Sequence, residues 1–219
     1  MELKEMLNWA LEAAKQNLMA SGELLPVALM FKAGDLQTVM PLPFKNPEEK
    51  YRAMTVAGCF ARKMGADVLV TVCDAAMREF KSAEDAKYME EHYETERPLA
   101  QPKCLRTECL VAQGFEFPSK ASLTCILPYT GEHPNYTFEE MSEPHECEGA
   151  IPDAVREGWD HINAAIESGE LKEGIEDMIR DGFIRPMNPP PSGTETGSSL
   201  PAFKPEEIYK AEVKPIQRN

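Results

Sequence analysis

Hydrophobic residues at the start of the chain recur with the spacing of one helix face. The stripe predicts a first helix that ends near Ser21 and Gly22, because glycine accommodates the left-handed conformation that follows many helices. Residues 24–31 and 36–40 then predict two strands, which a glycine-containing turn joins as an antiparallel hairpin. The stripe consists of Leu3, Met6, Leu7, Ala10, Leu11, Ala14 and Leu18.

The clearest structural signal lies in residues 46–74. Asn46 can cap a helix, Pro47 suits its first position, and Gly65 suits its end. The apolar side of this helix carries mostly small residues, so we expect it to approach a sheet closely. The almost continuous apolar run 68–73 follows at once and predicts a central strand that is covered on both faces. The helix stripe comprises Met54, Ala57, Ala61 and Met64.

Strand patterns return after residue 104. One set of alternating residues predicts a strand over 104–117, and a second set predicts another over 123–129. Residues 136–140 add a short edge strand. The sequence therefore predicts an α+β domain over residues 1–148, with an antiparallel sheet of five or six strands and two packed helices. The alternating residues are Leu105, Thr107, Cys109 and Val111, then Leu123, Cys125, Leu127 and Tyr129.

The C-terminal third changes in composition. An apolar stripe from Val155 to Ile166 predicts a helix that stops at Gly169, and residues 171–181 predict a second one. We expect residues 149–186 to form a helical hairpin that packs on the main domain or on a partner. Residues 187–219 are rich in proline, serine and glycine, which predicts a flexible, disordered tail.

The element order resembles the layout of roadblock and profilin-like α+β proteins. The motif Gly65-Ala66-Asp67-Val68, followed by Arg97-Pro98, Pro102 and Arg106-Thr107-Glu108, is similar to a pattern in small uncharacterised bacterial and phage proteins. The resemblance covers roughly residues 1–130. It implies a fold and a bacterial or phage origin, but no activity and no catalytic residues.

The charge balance limits the class of partner. The net charge is −14, with 37 acidic and 23 basic residues. No basic cluster is available for phosphates, so we expect no direct binding to nucleic acid. The longest apolar run is five residues, far below the ~20 that span a bilayer, and the first residues lack signal-peptide features. We therefore expect a cytoplasmic protein that has no membrane segment, with its six cysteines reduced.

Three residues form the candidate metal site. His133, His145 and Cys147 lie close together in the sequence, and imidazole and thiolate both suit zinc. This set predicts a metal-assisted hydrolase as one alternative. Cys109 or Cys125 could instead pair with His133 as nucleophile and base. Both cysteines lie in predicted strands, where thiols are more often buried and inert.

Strong catalytic motifs are absent from the sequence, which contains no phosphate-binding loop, no Gly-x-Ser-x-Gly and no His-Glu-x-x-His. The leading prediction is therefore a non-enzymatic, acidic interaction or adaptor protein that binds a protein partner. The acidic insertion 79–96, the C-terminal helices, or both, would make the contact. A third possibility is an acidic inhibitor of a nucleic-acid-binding protein. The sequence leaves the partner's identity and the oligomeric state open.

Overall fold

The computed structural model describes residues 1–80, 82, 84, 87 and 104–172. Most of the acidic insertion, the second predicted C-terminal helix and the predicted tail 187–219 lie outside the described residues. The described elements are α1 (Leu3–Ser21), β1 (Val27–Lys32), β2 (Asp35–Pro41), α2 (Pro47–Met64), β3 (Val68–Phe80), β4 (Cys104–Glu116), β5 (Ala121–Thr130), β6 (Thr137–Phe138), β7 (His145–Glu146) and α3 (Ala150–Glu167).

All of these strands join one antiparallel sheet. The order is β2-β1-β3-β4-β5-β6, and the short β7 also pairs with β5. The predicted α+β class and antiparallel sheet are confirmed, and β7 brings the described strands to seven. The predicted central position of β3 is also confirmed, since it lies between β1 and β4. No described helix has the combination of length and hydropathy that a membrane crossing requires.

Helix α1 covers one face of the sheet. Its predicted stripe is buried as a whole, with Leu7 and Leu11 fully enclosed. The helix ends as expected, because Gly22 has a φ of 78° and donates its amide to the Leu18 carbonyl at 2.8 Å. Beneath it, a Cβ on Gly114 would lie 2.5 Å from the Leu3 side chain, so the absence of a side chain there lets α1 approach. The strand residues that complete this core include Val68, Val70, Val72, Leu110, Ala112, Cys125, Leu127 and Tyr129.

Helix α2 lies on the opposite face. The Asn46 side chain accepts the Glu49 amide at 2.8 Å, as predicted for the cap. The Glu49 carboxylate accepts the Lys45 amide at 2.7 Å, so the return bond reaches the residue before the cap. Gly65 closes the helix in the left-handed conformation. Met54, Ala57 and Ala61 are buried against the sheet, which confirms the stripe of mostly small residues.

Helix α3 packs directly on α2. The two helices cross at paired glycines: a Cβ on Gly58 would overlap the Val155 carbonyl, and one on Gly158 would overlap the Thr55 carbonyl. Ala154 and Val155 enter the core of this face. The first helix of the predicted C-terminal pair therefore packs on the main domain. The domain boundary at residue 148 stays a prediction.

Strands β3 and β4 are the longest in the sheet. Each has 13 residues, and they pair continuously from Val68↔Glu116 to Phe80↔Cys104. The neighbouring strands are shorter, because β1 reaches β3 only as far as Val72 and β5 reaches β4 only as far as Glu108. Residues 77–80 and 104–107 therefore form a two-stranded extension of about 13 Å, which we call the projecting ribbon. Residues 81–103, which include most of the acidic insertion, connect the ends of its two strands in the sequence.

Candidate functional site

The structure places the three predicted zinc ligands at two positions along β5. His133 lies in the loop after β5, beside Gly22, and its ring centroid is 6.3 Å from that of Tyr136. His145 lies in β7, where it pairs with Thr124 of β5. Residues 124 and 130 are about 20 Å apart along this strand, since each residue advances it by ~3.4 Å. The fold therefore separates His133 from the other two residues.

Cys147 follows β7 and stays near His145. Its amide donates to the Ser122 carbonyl at 3.0 Å, which continues the pairing with β5. His145 and Cys147 thus share a face two residues apart. Among the residues that the structure describes, no group of three or more histidine, cysteine, aspartate or glutamate side chains could hold a metal ion.

The Cys147 thiol takes part in a polar network. Gln113 donates its amide to the sulfur at 3.1 Å, and Ser122 donates its hydroxyl to the Cys147 carbonyl at 2.7 Å. Arg156 of α3 donates to the Ser122 hydroxyl at 3.1 Å. Burial raises the pKa of Cys147, although Gln113, Thr124 and Arg156 act in the opposite direction. Burial has the larger effect and disfavours the thiolate. The network links β4, β5 and α3.

The two thiols considered as nucleophiles are bonded to backbone carbonyls. Cys125 donates to the Ser142 carbonyl at 3.0 Å, and Cys109 donates to the Ala75 carbonyl at 3.5 Å. Both side chains are buried, and this burial raises the pKa of each thiol. Cys59, Cys73, Cys109, Cys125 and Cys147 are free thiols. These surroundings disfavour the thiolate that nucleophilic catalysis requires.

The base of the projecting ribbon is held by a buried tyrosine. Tyr129 of β5 is 6% exposed, and its hydroxyl donates to an Asp74 carboxylate oxygen of β3 at 2.9 Å. Burial is the main cause that raises the pKa of Tyr129, and the bond to Asp74 adds to it. Tyr136 packs edge-on to Tyr129 at 5.5 Å and donates its hydroxyl to the Gly22 carbonyl at 3.1 Å. This arrangement ties β3, β5 and the end of α1 together.

The hydrogen-bond pattern shows which backbone groups of β3 face its other edge. Phe117 donates its amide to the Asp67 carbonyl at 3.0 Å, just before the paired residues Val68↔Glu116. Because antiparallel strands alternate their bonding direction, odd-numbered residues of β3 bond to β4 and even-numbered ones face β1. Val72 is the last of these that β1 pairs. The backbone groups of Asp74 and Ala76 therefore face away from β4, past the end of β1.

We call residues 74–80 on this side of β3 the open edge. No other described strand pairs with it. Asp74 and Ala76 are exposed, and Met77 is 41% exposed. Their register with β4 continues without interruption, so the strand holds an extended conformation along the whole edge.

The outer strand β2 is a different kind of edge. Its register with β1 shifts between Met30 and Phe31, which leaves Gln37 as an extra residue. Pro41 ends the strand. Bulges and prolines are devices that keep an edge from pairing with other chains. The described part of the open edge on β3 carries neither device.

No protein-family model, curated protein or solved structure matches this chain. The candidate site therefore rests on geometry, charge and chemistry.

The pattern along the chain does not predict the open edge, because the apolar run that indicates β3 ends at Cys73. Residues 74–79 lack the apolar alternation that marks a strand. One signal was available in the partner: the alternating strand pattern that starts at residue 104 is too long to pair with 68–73 alone.

Proposed function

We propose that the protein is a non-enzymatic interaction protein that binds a basic partner through the projecting ribbon and the acidic segment 79–96. The observation that carries this proposal is the extension of β3 and β4 past both neighbouring strands. A two-stranded ribbon gains little stability from its own pairing. A ribbon that extends beyond the core is therefore better explained by contact with another molecule than by packing.

Charge supports a basic partner. Residues 79–96 contain seven acidic and two basic residues, within a chain whose net charge is −14. An acidic surface attracts basic proteins and raises their association rate, and the attraction weakens as salt increases. The proposed contact should therefore depend on ionic strength.

The thiols near the sheet support a non-enzymatic function. Cys109, Cys125 and Cys147 all take part in hydrogen bonds within the fold, and the pKa of each is raised. Their contacts are those of packed structural residues. By contrast, Asp74, Ala76 and Met77 are exposed on a strand that is held in place.

Two charge-neutralised variants test the proposal. The first changes six acidic residues of the insertion to their amides: Glu84, Asp85, Glu90, Glu91, Glu94 and Glu96. The matched control makes the same change in charge near β6 and β7, at six exposed positions: Glu132, Glu139, Glu140, Glu143, Glu146 and Glu148.

The measurement is retention of proteins from a cell lysate at low and high salt, identified by mass spectrometry. We expect a basic protein that the wild type and the control retain at low salt and that the insertion variant loses. Equal retention by both variants would contradict the proposal, as would hydrolytic turnover by the purified protein.

A further inference from the structure

We infer that the open edge of β3 binds an extended, lysine- or arginine-rich strand of the partner, which pairs with residues 74–80 as an added strand of the sheet. This inference rests on the proposed function and specifies how the partner binds. In strand addition, backbone hydrogen bonds supply much of the affinity, and the side chains supply specificity.

The backbone of the open edge has the required direction. The N–H and C=O groups of Asp74 and Ala76 face the side that β1 occupies farther down the strand. The chain itself continues the line of β1 as far as Pro26, whose carbonyl accepts the Leu42 amide at 2.8 Å. A partner strand that lies on this side of β3 beyond Pro26 would meet the groups of Asp74 and Ala76. The same groups of Val70 and Val72 already make this kind of pairing with β1, so the added strand would extend an existing ladder.

The edge also carries small side chains, and its pairing with β4 holds it in an extended conformation. Ala75 and Ala76 have small side chains, and Ala76 is exposed. The bond from Tyr129 to Asp74 fixes the start of the edge against β5. A strand that is already extended loses little conformational entropy on binding, which favours affinity.

Charge decides between two kinds of occupant. A second copy of this chain would bring together two molecules of net charge −14, which repel each other. A basic strand would instead be attracted by the net negative charge of this chain and would place its cations near the exposed Asp74 carboxylate. We therefore assign the edge to a basic strand of a different protein.

The first test uses two peptides of equal charge. The probe is a fluorescein-labelled heptapeptide of sequence Lys-Val-Lys-Val-Lys-Val-Lys, and the control is the same peptide N-methylated at every backbone nitrogen. The control keeps the four cations and loses the donors of a strand. We expect the wild-type protein to bind the probe at low salt at least tenfold more tightly than the control, measured by fluorescence anisotropy. Equal binding of the two peptides would overturn the inference.

The second test uses two protein variants at one position. Ala76→Pro removes an N–H that faces the open edge and leaves the bonds from odd-numbered residues to β4 intact. Ala76→Thr keeps that N–H and is the matched control. We expect Ala76→Pro to weaken probe binding at least tenfold and Ala76→Thr to change it less than twofold. A probe affinity of Ala76→Pro within twofold of wild type would overturn the inference, and a thermal melt confirms that each variant folds.

Two further results separate the inference from the proposed function. If lysate proteins are lost by the insertion variant but kept by Ala76→Pro, the basic partner is real and strand addition is wrong. If both variants keep them, the proposed function itself fails. Sedimentation of the free protein as a dimer that Ala76→Pro dissociates would assign the edge to a second copy and would also overturn the inference.

Discussion

The two halves of β3 differ in how many strands they pair with and in how far their side chains are buried. Residues 68–72 bond to a strand on each side and are covered by helices on both faces, with Leu69 and Val70 fully buried. Residues 74–80 bond to β4 alone among the described strands, and Asp74, Ala76 and Met77 are exposed. The backbone is therefore extended in both halves, but the side chains of the first half are packed in the core and those of Asp74, Ala76 and Met77 in the second half are exposed.

The difference follows from how far the helices and neighbouring strands extend. Helix α1 covers one face of the sheet, and the paired helices α2 and α3 cover the other. Strand β1 ends its pairing at Val72. Burial of apolar surface is the main source of stability, so most of the stability of β3 comes from its first half. In the second half, Asp74, Ala76 and Met77 are exposed and add little to the core, which would leave this half free for the binding that we propose.

The largest expected effect is the loss of a core side chain in the covered half. Leu69→Ala removes a side chain that is 0% exposed between β1 and β4, so we expect the free energy of unfolding to fall by about 2–5 kcal/mol. Met77→Ala, on the same strand and the same face, should change it by less than about 0.5 kcal/mol. Urea unfolding measures both variants. Equal losses would show that the two halves contribute alike and would break the comparison.

A smaller loss of stability is expected at the contact between helices α2 and α3. Gly158→Ala adds a Cβ that would overlap the Thr55 carbonyl of α2, so the helices must separate. We expect the free energy of unfolding to fall by about 1–3 kcal/mol. Asp160→Ala changes an exposed position of the same helix and should have an effect below about 0.5 kcal/mol. If Gly158→Ala leaves urea unfolding unchanged, then the close contact between α2 and α3 does not stabilise the packing of these helices on the sheet.

The smallest expected effect is at the junction of the two halves. Tyr129→Phe removes the hydroxyl that donates to the Asp74 carboxylate. A hydrogen bond to a charged group contributes about 1.5–3 kcal/mol at neutral pH, and the contribution lies at the lower end of this range where the carboxylate is in contact with water. We expect a loss of about 1 to 2 kcal/mol in urea unfolding at pH 7. An unchanged free energy of unfolding would mean that the bond does not fix the base of the ribbon.

The same tyrosine also predicts a dependence on pH. Its raised pKa means that the folded protein keeps the hydroxyl protonated at pH values where the unfolded chain ionises it, above about pH 10. This part of the stability is complete below pH 10 and declines as the pH rises towards the raised pKa. Wild type should therefore lose stability more steeply above pH 10 than Tyr129→Phe. Parallel curves for the two proteins would contradict the assignment.

Local signals were sufficient for the helices and for the buried strands. The cap at Asn46, the stops at Gly22 and Gly65 and the stripe of α1 all act within a few residues, and each was confirmed. The alternation through Leu123 and Tyr129 also predicted which side chains of β5 share a face. These features could be predicted because periodicity and capping are set by neighbouring residues.

Features that depend on distant pairing could not be predicted in this way. Residues 74–80 become a strand because β4 pairs with them, and His145 and Glu146 become one because β5 is adjacent. Proximity in the sequence was also a poor guide to the candidate metal site. His133 and Cys147 are near each other along the chain, but β5 extends between their positions and keeps them apart.

Amide hydrogen exchange along β3 tests most directly whether one strand is divided into a half that holds the fold and a half that binds. In the free protein, we expect the amides of Val70 and Val72 to be strongly protected, because carbonyl groups of β1 accept their hydrogen bonds. We expect the amides of Asp74 and Ala76 to exchange rapidly. Addition of the lysine-valine peptide should slow the exchange of Asp74 and Ala76 and leave Val70 and Val72 unchanged. If Asp74 and Ala76 are already as protected as Val70 in the free protein, the edge is not open and the account is wrong.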